Sequence, residues 1–392
     1  MYIVTMSQRK PPQEQIDYIL NLFKSNQIQQ ALDFIDTLSK DYPDKSLLFN
    51  IRGAGYAGLG QLDIAVQNYE KALSIKPDYA KAHYNLGIAL QELGKLHDSV
   101  KSYENSIALE PENAQAHNNL AIVLRELNQL EEAESNCRKA IVLDPEYAEA
   151  YTSLSIILYA NGDLNSALES IEKAYSINPK LKIIKLLLAV LKARKNRDTN
   201  DVSVGNISKS GFDTRLTSNP LILNRPVEQE LIAKLYEMKT LERYPNTDTI
   251  HGNARGSSYQ LFQDNRSSII RTVKDDLVRI VTKAIKADIH IKDSFFHIMG
   301  AGGAGVHRHN HIGDLDLDSS LNLINQKFSL VYYLATGDQD CSKPGTLKFY
   351  DPSENILPRE GKIVIFPADR YHSVVYNGEK DRIMISINFY SL

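Results

Sequence analysis

Two hydrophobic periods divide the chain. Over residues 12–195, small and apolar positions return every three or four residues, the stripe of a core-facing helix. Two later stretches keep that period, "VEQELIAKLYEM" (227–238) and "SSIIRTVKDDLVRIVTKAIK" (267–286). Beyond them the apolar runs shorten to "SFFHIM", "GVHRHNHI", "FSLVYYLA", "TLKFY", "GKIVIF" and "RIMISINFY". Glycine, aspartate or proline separates most of these runs, so each predicts a strand. Many short strands after helices imply a two-sheet sandwich or jelly roll with supporting helices.

The helical half is a repeat. Pro43, Pro77, Pro111, Pro145 and Pro179 follow one another at 34 residues, a period that means a solenoid. Twelve residues before each proline stands a small residue, Ala31, Ala65, Ser99, Ala133 or Ala167. Eight before it stands Ile35, Tyr69, Tyr103, Cys137 or Ile171, and five before it Ala72, Ser106, Ala140 or Ala174, with Leu38 breaking the rule in the first unit. Small residues let the two helices of a unit approach, and large ones fill the groove against the next. Proline ends the second helix because it cannot continue the hydrogen-bond ladder. These units, with "LFNIRGAGY", "AHYNLGIAL", "AHNNLAIVL" and "AYTSLSIIL" as first-helix signatures, resemble the tetratricopeptide repeat. About five units fill residues 12–179, and the lysine-rich helix 180–195 is expected to cap them, giving a solenoid over 12–195.

Such a solenoid implies binding of extended peptides or partner helices on its concave face. Asn85 and Asn119 hold equivalent places in successive units, where an amide can both donate to and accept from a peptide backbone. The pair resembles the asparagine ladder of the repeats in O-linked N-acetylglucosamine transferases, with Ile51 and Ser153 at the neighbouring rungs. Residues 196–220 are polar, end in Asn-Pro and read as a linker. The remaining domain runs over 221–392, making the chain an α+β multidomain protein.

Composition narrows the partners. A length of 392 residues exceeds one ordinary core, in line with two domains. A formal net charge of −3 argues against a nucleic-acid groove or an anionic membrane surface. "MYIVTMSQRK" lacks the apolar run of a secretory signal, and "IIKLLLAVL" (183–191) is too short for a membrane span. Cys137 and Cys341 fit no metal-knuckle spacing, so a reducing cytoplasm is the expected location.

The candidate chemistry sits in the strand-rich half. His307, His309 and His311 alternate, and alternate residues of a strand share a face. His372 follows a turn in "FPADRYHSVV", and Arg382 opens the last run ten residues later. Two ligands one residue apart, with a third from a distant strand, cover one face of an octahedral cation such as Fe(II). An arginine beyond them can clamp a dicarboxylate bidentately.

With "HNH" (309–311), "SLVYYL" (329–334), "GTLKFYDP" (345–352), "FPADRYHSV" (366–374) and "RIMISINF" (382–389), the chain from about residue 221 resembles the 2-oxoglutarate- and Fe(II)-dependent oxygenases. That resemblance implies a double-stranded β-helix with His309, His311 and His372 as iron ligands and no catalytic residue beyond them. It gives Arg382 the distal carboxylate of 2-oxoglutarate and Tyr333 a hydrogen bond to the same group, as in the prolyl hydroxylase branch. The commonest family motif has an acid where His311 stands. His307/His309 offers the same spacing as His309/His311; the Gly303-to-His309 offset favours the latter. Residues 312–328 form a longer connection than most relatives carry; Asp314, Asp316 and Asp318 lack an EF-hand's glycine and glutamate, so the segment reads as a solvated lid.

The implied activity is dioxygenase hydroxylation of a protein or peptide recruited by the repeats, with molecular oxygen as co-substrate. Hydroxylation of a small molecule is an alternative. A reading of another class makes the repeats a non-catalytic scaffold or adaptor, with the C-terminal domain a silent β-sandwich.

Overall fold

The computed structural model describes residues 11–201, 220–238, 254–256, 261–263, 267–300, 304–317, 321 and 323–392. The chain divides into two units, Met1–Lys185 and Leu186–Leu392.

The first unit is the expected solenoid. Its helices pair as α1 (Gln13–Lys24) with α2 (Ile28–Asp41), α3 (Ser46–Gly58) with α4 (Leu62–Ile75), and α5 (Ala80–Glu92) with α6 (Leu96–Leu109). The series continues with α7 (Ala114–Glu126) and α8 (Leu130–Leu143), then α9 (Ala148–Ala160) and α10 (Leu164–Ile177). Each second helix stops two residues before its proline. The turn inside each pair needs a left-handed residue, and Asn26, Gly60, Gly94, Asn128 and Gly162 supply it at φ between 57° and 86°. The next amide then reaches back five residues, as in Lys95 N to Leu90 O at 2.8 Å, which closes the first helix.

Small and large positions pack as the repeat predicts. Tyr103 is fully buried, and a Cβ on Gly87 would lie 2.8 Å from its ring. Gly53 stands in the same relation to Tyr69, at 2.6 Å. One and two units later the equivalent pairs are Ala121 with Cys137 and Ser155 with Ile171, all buried. A full ring therefore goes with a glycine, and a smaller side chain with a residue carrying a Cβ. His117 is buried and His83 half-buried, and each meets through Nε2 the carbonyl of the proline six residues earlier, Pro111 or Pro77.

The division between the two units falls inside α11 (Lys182–Asp201), after its first turn. The segment expected as a linker begins helical; residues 202–219 lie outside the described residues.

In the second unit, two antiparallel sheets form. The elements are β1 (Leu221–Asn224), α12 (Gln229–Glu237), β2 (Ala254–Gly256), α13 (Ser268–Ile285), β3 (Ile289–Met299) and β4 (Ala304–His309). There follow β5 (Lys327–Thr336), β6 (Pro344–Tyr350), β7 (Ser353–Ile356), β8 (Lys362–Pro367), β9 (His372–Tyr376) and β10 (Arg382–Ser391). The larger sheet has the order β1-β8-β5-β10-β3-β2, the smaller β4-β9-β6-β7.

One face of the larger sheet packs on α12 and α13 through Leu277, Val281, Phe296, Tyr332 and Ile385. Its other face meets the smaller sheet through Tyr333, Phe366 and Met384 against Phe349, Val374 and Tyr376. Because both faces are covered, β5 is buried along Lys327–Leu334 and reads as a continuous apolar run rather than an alternation. This is the double-stranded β-helix with supporting helices expected from the sequence. Arg225, buried after β1, ties that edge down with bonds to Glu228 at 2.7 Å, Asp276 at 3.0 Å and the Tyr332 hydroxyl at 3.0 Å. Among the described residues no helix is long and apolar enough to cross a membrane.

Candidate functional site

Two polar groups stand against the apolar layer between the sheets. The first is a pair of imidazoles. His372 opens β9, is buried, and rests edge-on against the Phe366 ring with centroids 4.7 Å apart. Its Nδ1 lies 3.0 Å from the Arg370 carbonyl. A carbonyl can only accept, so in the neutral ring Nδ1 carries the hydrogen and Nε2 keeps the lone pair. That lone pair faces His311, whose Nε2 is 3.3 Å away. Two imidazole nitrogens about 2.1 Å from one cation, at about 90–110° to each other, stand roughly 3.0–3.4 Å apart. The observed separation suits two ligands of one ion.

The sequence expectation for this segment needs correction. The strand expected over 305–312 ends at His309, and the ladder with β9 is irregular between Val306 and His309. His309 is paired in register with His372, whereas His311 lies beyond the strand. Alternation along one strand therefore does not place His311. A bond from its backbone N–H to the Ala368 carbonyl, at 2.8 Å, does. Gly303 and the side chains of His307 and His309 lie outside the described residues. Among the described residues no group of three or more histidine, cysteine or acidic side chains is placed to hold a metal.

The solvated-lid expectation for 312–328 also fails. Asp316, Leu321, Leu323 and Lys327 are buried, while Leu317 and Asn325 are exposed. Asp316 pairs with Lys327 at 2.6 Å and accepts from the Tyr390 hydroxyl at 2.7 Å. A carboxylate so engaged is no calcium ligand in waiting; the side chains of Asp314 and Asp318 lie outside the described residues.

The second polar group is Arg382, at the start of β10 and fully buried. Its guanidinium carbon lies 5.1 Å from the Tyr333 ring centroid and 6.0 Å from that of Tyr376. Nη1 donates to the Gly345 carbonyl, while Nε and Nη2 have no hydrogen-bond partner. The Tyr333 hydroxyl, equally buried, has none either. Burial lowers the affinity of Arg382 for its proton, and guanidinium nonetheless stays charged. Burial pushes the Tyr333 phenol above its ordinary value, opposed by the nearby guanidinium, so it keeps its hydrogen and can donate. Among the described residues no carboxylate pairs with Arg382. A buried cation with unanswered N–H groups beside an unanswered hydroxyl is a cradle for a carboxylate.

Several supporting residues escaped the sequence reading. Gly345 opens the run "GTLKFYDP", which gives no sign of its part in the site; at φ +75°, a Cβ there would stand 1.3 Å from Arg382 Nη1. Arg370 is buried over the Phe349 ring at 4.3 Å and donates to the Pro352 carbonyl at 2.8 Å, fixing the carbonyl that orients His372. A lysine heading the apolar run "KFSLVYYL" was the one signal available for Lys327.

On the repeats, Asn85 and Asn119 are half-buried and their amide donors are already engaged. Asn85 donates to the Asn50 carbonyl oxygen at 3.0 Å, and Asn119 to the Tyr84 hydroxyl at 3.1 Å. Each bond spans consecutive first helices, so these rungs brace the solenoid before any peptide meets them.

Comparison with known proteins agrees with this division. Tetratricopeptide-repeat models match residues 55–94, 84–148 and 148–181, and the 2OG-Fe(II) oxygenase superfamily model matches 294–390. Among curated proteins, the peroxisomal targeting signal receptor of Kluyveromyces lactis is 30% identical over 78 residues, 20% of this chain and 14% of the receptor. That of Candida albicans is 35% identical over 69 residues, 17% of this chain and 12% of the receptor. The chain thus spans less than a sixth of the length of the curated relatives it matches. Solved structures that resemble it include MamA, 21% identical over 41% of this chain and 94% of that one, with a TM-score of 0.39. YrrB, described as a TPR protein with an unusual peptide-binding site, is 22% identical over 46% and 90% of the two chains, also at 0.39. The chain joins tetratricopeptide repeats over residues 55–181 to a 2OG-Fe(II) oxygenase superfamily domain over residues 294–390.

Proposed function

We propose that the C-terminal unit is an Fe(II)- and 2-oxoglutarate-dependent hydroxylase acting on a protein or peptide that the repeats recruit. The observation that carries this reading is Arg382. A fully buried guanidinium with two unanswered donors is costly unless an anion completes it.

The residue types suit the two groups that the superfamily implies. His309, His311 and His372 would hold the metal, and neutral imidazoles suit Fe(II). Arg382 would pair with the distal carboxylate of 2-oxoglutarate, with Tyr333 donating a second hydrogen bond. When bound, such a centre supplies oxidative decarboxylation of the 2-oxo acid coupled to hydroxylation of a substrate C–H bond.

The chain's own contribution is positional. The Arg370 carbonyl keeps the proton of His372 on Nδ1, leaving Nε2 as the ligand atom. Phe349 and Phe366 pack against the His372 ring and fix its plane. Gly345 lets the guanidinium approach the backbone where any side chain would stand in its place.

Recruitment rests on the solenoid. Weak similarity to targeting-signal receptors supports peptide or protein binding, and a tethered binding face raises the local concentration of substrate at the site. Asn85 and Asn119 would meet a bound chain with what their internal bonds leave, one carbonyl oxygen and one N–H each.

The test is anaerobic reconstitution with Fe(II) and 2-oxoglutarate, followed by oxygen and a protein extract. Succinate formed above the substrate-free rate, with a 16 Da increment on a captured protein, supports the reading. Absence of 2-oxoglutarate binding by the metal-loaded protein sinks it.

A further inference from the structure

His311 lies past the end of β4, so no ladder bond fixes it, yet its imidazole must hold a defined angle to be a ligand. Three hydrogen bonds close a cycle around it. The His311 N–H donates to the Ala368 carbonyl at 2.8 Å, and the Ala368 N–H to the Lys327 carbonyl at 3.0 Å. The Lys327 ammonium donates back to the His311 carbonyl. Ala368 belongs to the turn that also carries Arg370 and leads into His372. Lys327 therefore touches both imidazole-bearing segments at once.

The ammonium is itself held. It pairs with Asp316 at 2.6 Å, and both side chains are buried. Asp316 also accepts from the Gly313 N–H at 2.7 Å and the Tyr390 hydroxyl at 2.7 Å. Tyr390 and Lys327 are register partners across β10 and β5. The loop after His311 is thus pinned to the central strands of the larger sheet.

A buried ion pair is a poor way to gain stability. Replacing such a pair by packed apolar groups is often neutral or favourable. What the pair does provide is direction: a charged donor and a charged acceptor fix backbone groups that apolar packing would leave free to slide.

We infer that Lys327, neutralised by Asp316 and steadied by Tyr390, is a positioning residue that sets His311 against His372 for metal binding. This rests on the metal-centre reading above. Second-sphere partners of metal ligands typically contribute about 10- to 100-fold in affinity.

Mn(II) affinity of the full chain, by titration calorimetry and electron paramagnetic resonance, tests it, with the visible spectrum of the Co(II) form reporting ligand geometry. Lys327→Met is expected to weaken Mn(II) binding about tenfold and shift the Co(II) spectrum, Lys327→Arg to recover most of the loss, and Tyr390→Phe to cost about threefold. Arg225→Met, which breaks a buried ion cluster on the helix-covered face, is expected to lower the melting temperature with Mn(II) affinity unchanged. Wild-type Mn(II) affinity in Lys327→Met overturns the inference and leaves the metal centre standing. If Lys327→Met fails to fold, Tyr390→Phe decides, and unchanged affinity there overturns it too. Failure of the wild type to bind Mn(II) or Co(II) removes the metal centre and the inference together.

Discussion

Arg382 and Gly345 occupy space that only a glycine leaves available: Nη1 donates to the Gly345 carbonyl, and a Cβ on that residue would lie 1.3 Å from the same nitrogen. Gly345→Ala therefore has to displace the guanidinium, and it also puts a Cβ on a backbone at φ +75°, a left-handed conformation worth about 1–2 kcal/mol to an L-residue. The expected outcome is at least a tenfold weaker 2-oxoglutarate affinity in the Mn(II)-loaded protein, with Mn(II) affinity itself held. Calorimetric titration of 2-oxoglutarate checks it, and wild-type affinity in the variant would refute the cradle.

Arg382 also opposes stability and binding to each other. Its unanswered donors penalise the ligand-free fold, so Arg382→Met is expected to melt at or above the wild-type temperature while losing 2-oxoglutarate binding. For the wild type, Mn(II) with 2-oxoglutarate at a hundred times its Kd adds about 2.7 kcal/mol. For a unit of this size that is a rise of about 5–11 °C. In Arg382→Met the rise due to 2-oxoglutarate should vanish. Thermal melts with and without ligand give both answers, and a variant that melts well below wild type would show Arg382 to be a structural pair rather than a reserved site.

The strands were legible where burial was one-sided or continuous, and the proline period made the solenoid readable from residue 43 onward. The site was legible only at its chemically unusual residues. His372, Arg382 and Tyr333 border the layer between the sheets, but His311 comes to His372 from outside the strand that was meant to carry it. Alternation describes regular ladders, and the irregular register between Val306 and His309 ended its authority there. Lys327 and Asp316 were missed for a related reason. In sequence, acidic residues between two runs look solvated, and nothing local announces that a cation eleven residues away will bury one of them. β1, β2 and β7, each of three or four residues, are too short to show a period at all.

Acid stability should report the Arg225 cluster. The Glu228 carboxyl is held below its ordinary range by the Arg225 hydrogen bonds, and Asp276 by Arg279 first and Arg225 second. A carboxyl with a depressed folded value adds stability above its unfolded value and loses it as pH falls through the folded one. Wild-type stability is thus expected to fall as pH drops from about 5 through the ordinary carboxyl range and below it. Arg225→Met should be less stable at neutral pH and lose less over that window. Urea midpoints at several pH values decide it: parallel curves for the two proteins would remove Arg225 as the cause.

The glycine–tyrosine pairing in the repeats yields a double-mutant cycle. Gly87 faces Tyr103 at a distance no added Cβ can keep, whereas the equivalent places one unit later hold Ala121 against Cys137. Gly87→Ala alone forces the ring off its site, an overpacking worth about 1–3 kcal/mol. Tyr103→Cys alone leaves a void where the ring was, at about 3–5 kcal/mol by analogy with large aromatic truncations. Combined, they install the pair that the next unit already uses, and the added methyl now enters space the ring has vacated. The double variant should therefore be more stable than the sum of the singles by about 1–2 kcal/mol, within the range found for residues in contact. Urea unfolding of the four proteins measures the coupling. A coupling near zero would mean that Tyr103 can swing aside for a methyl at no cost, and that the alternation of glycine with tyrosine along the solenoid is not a packing rule.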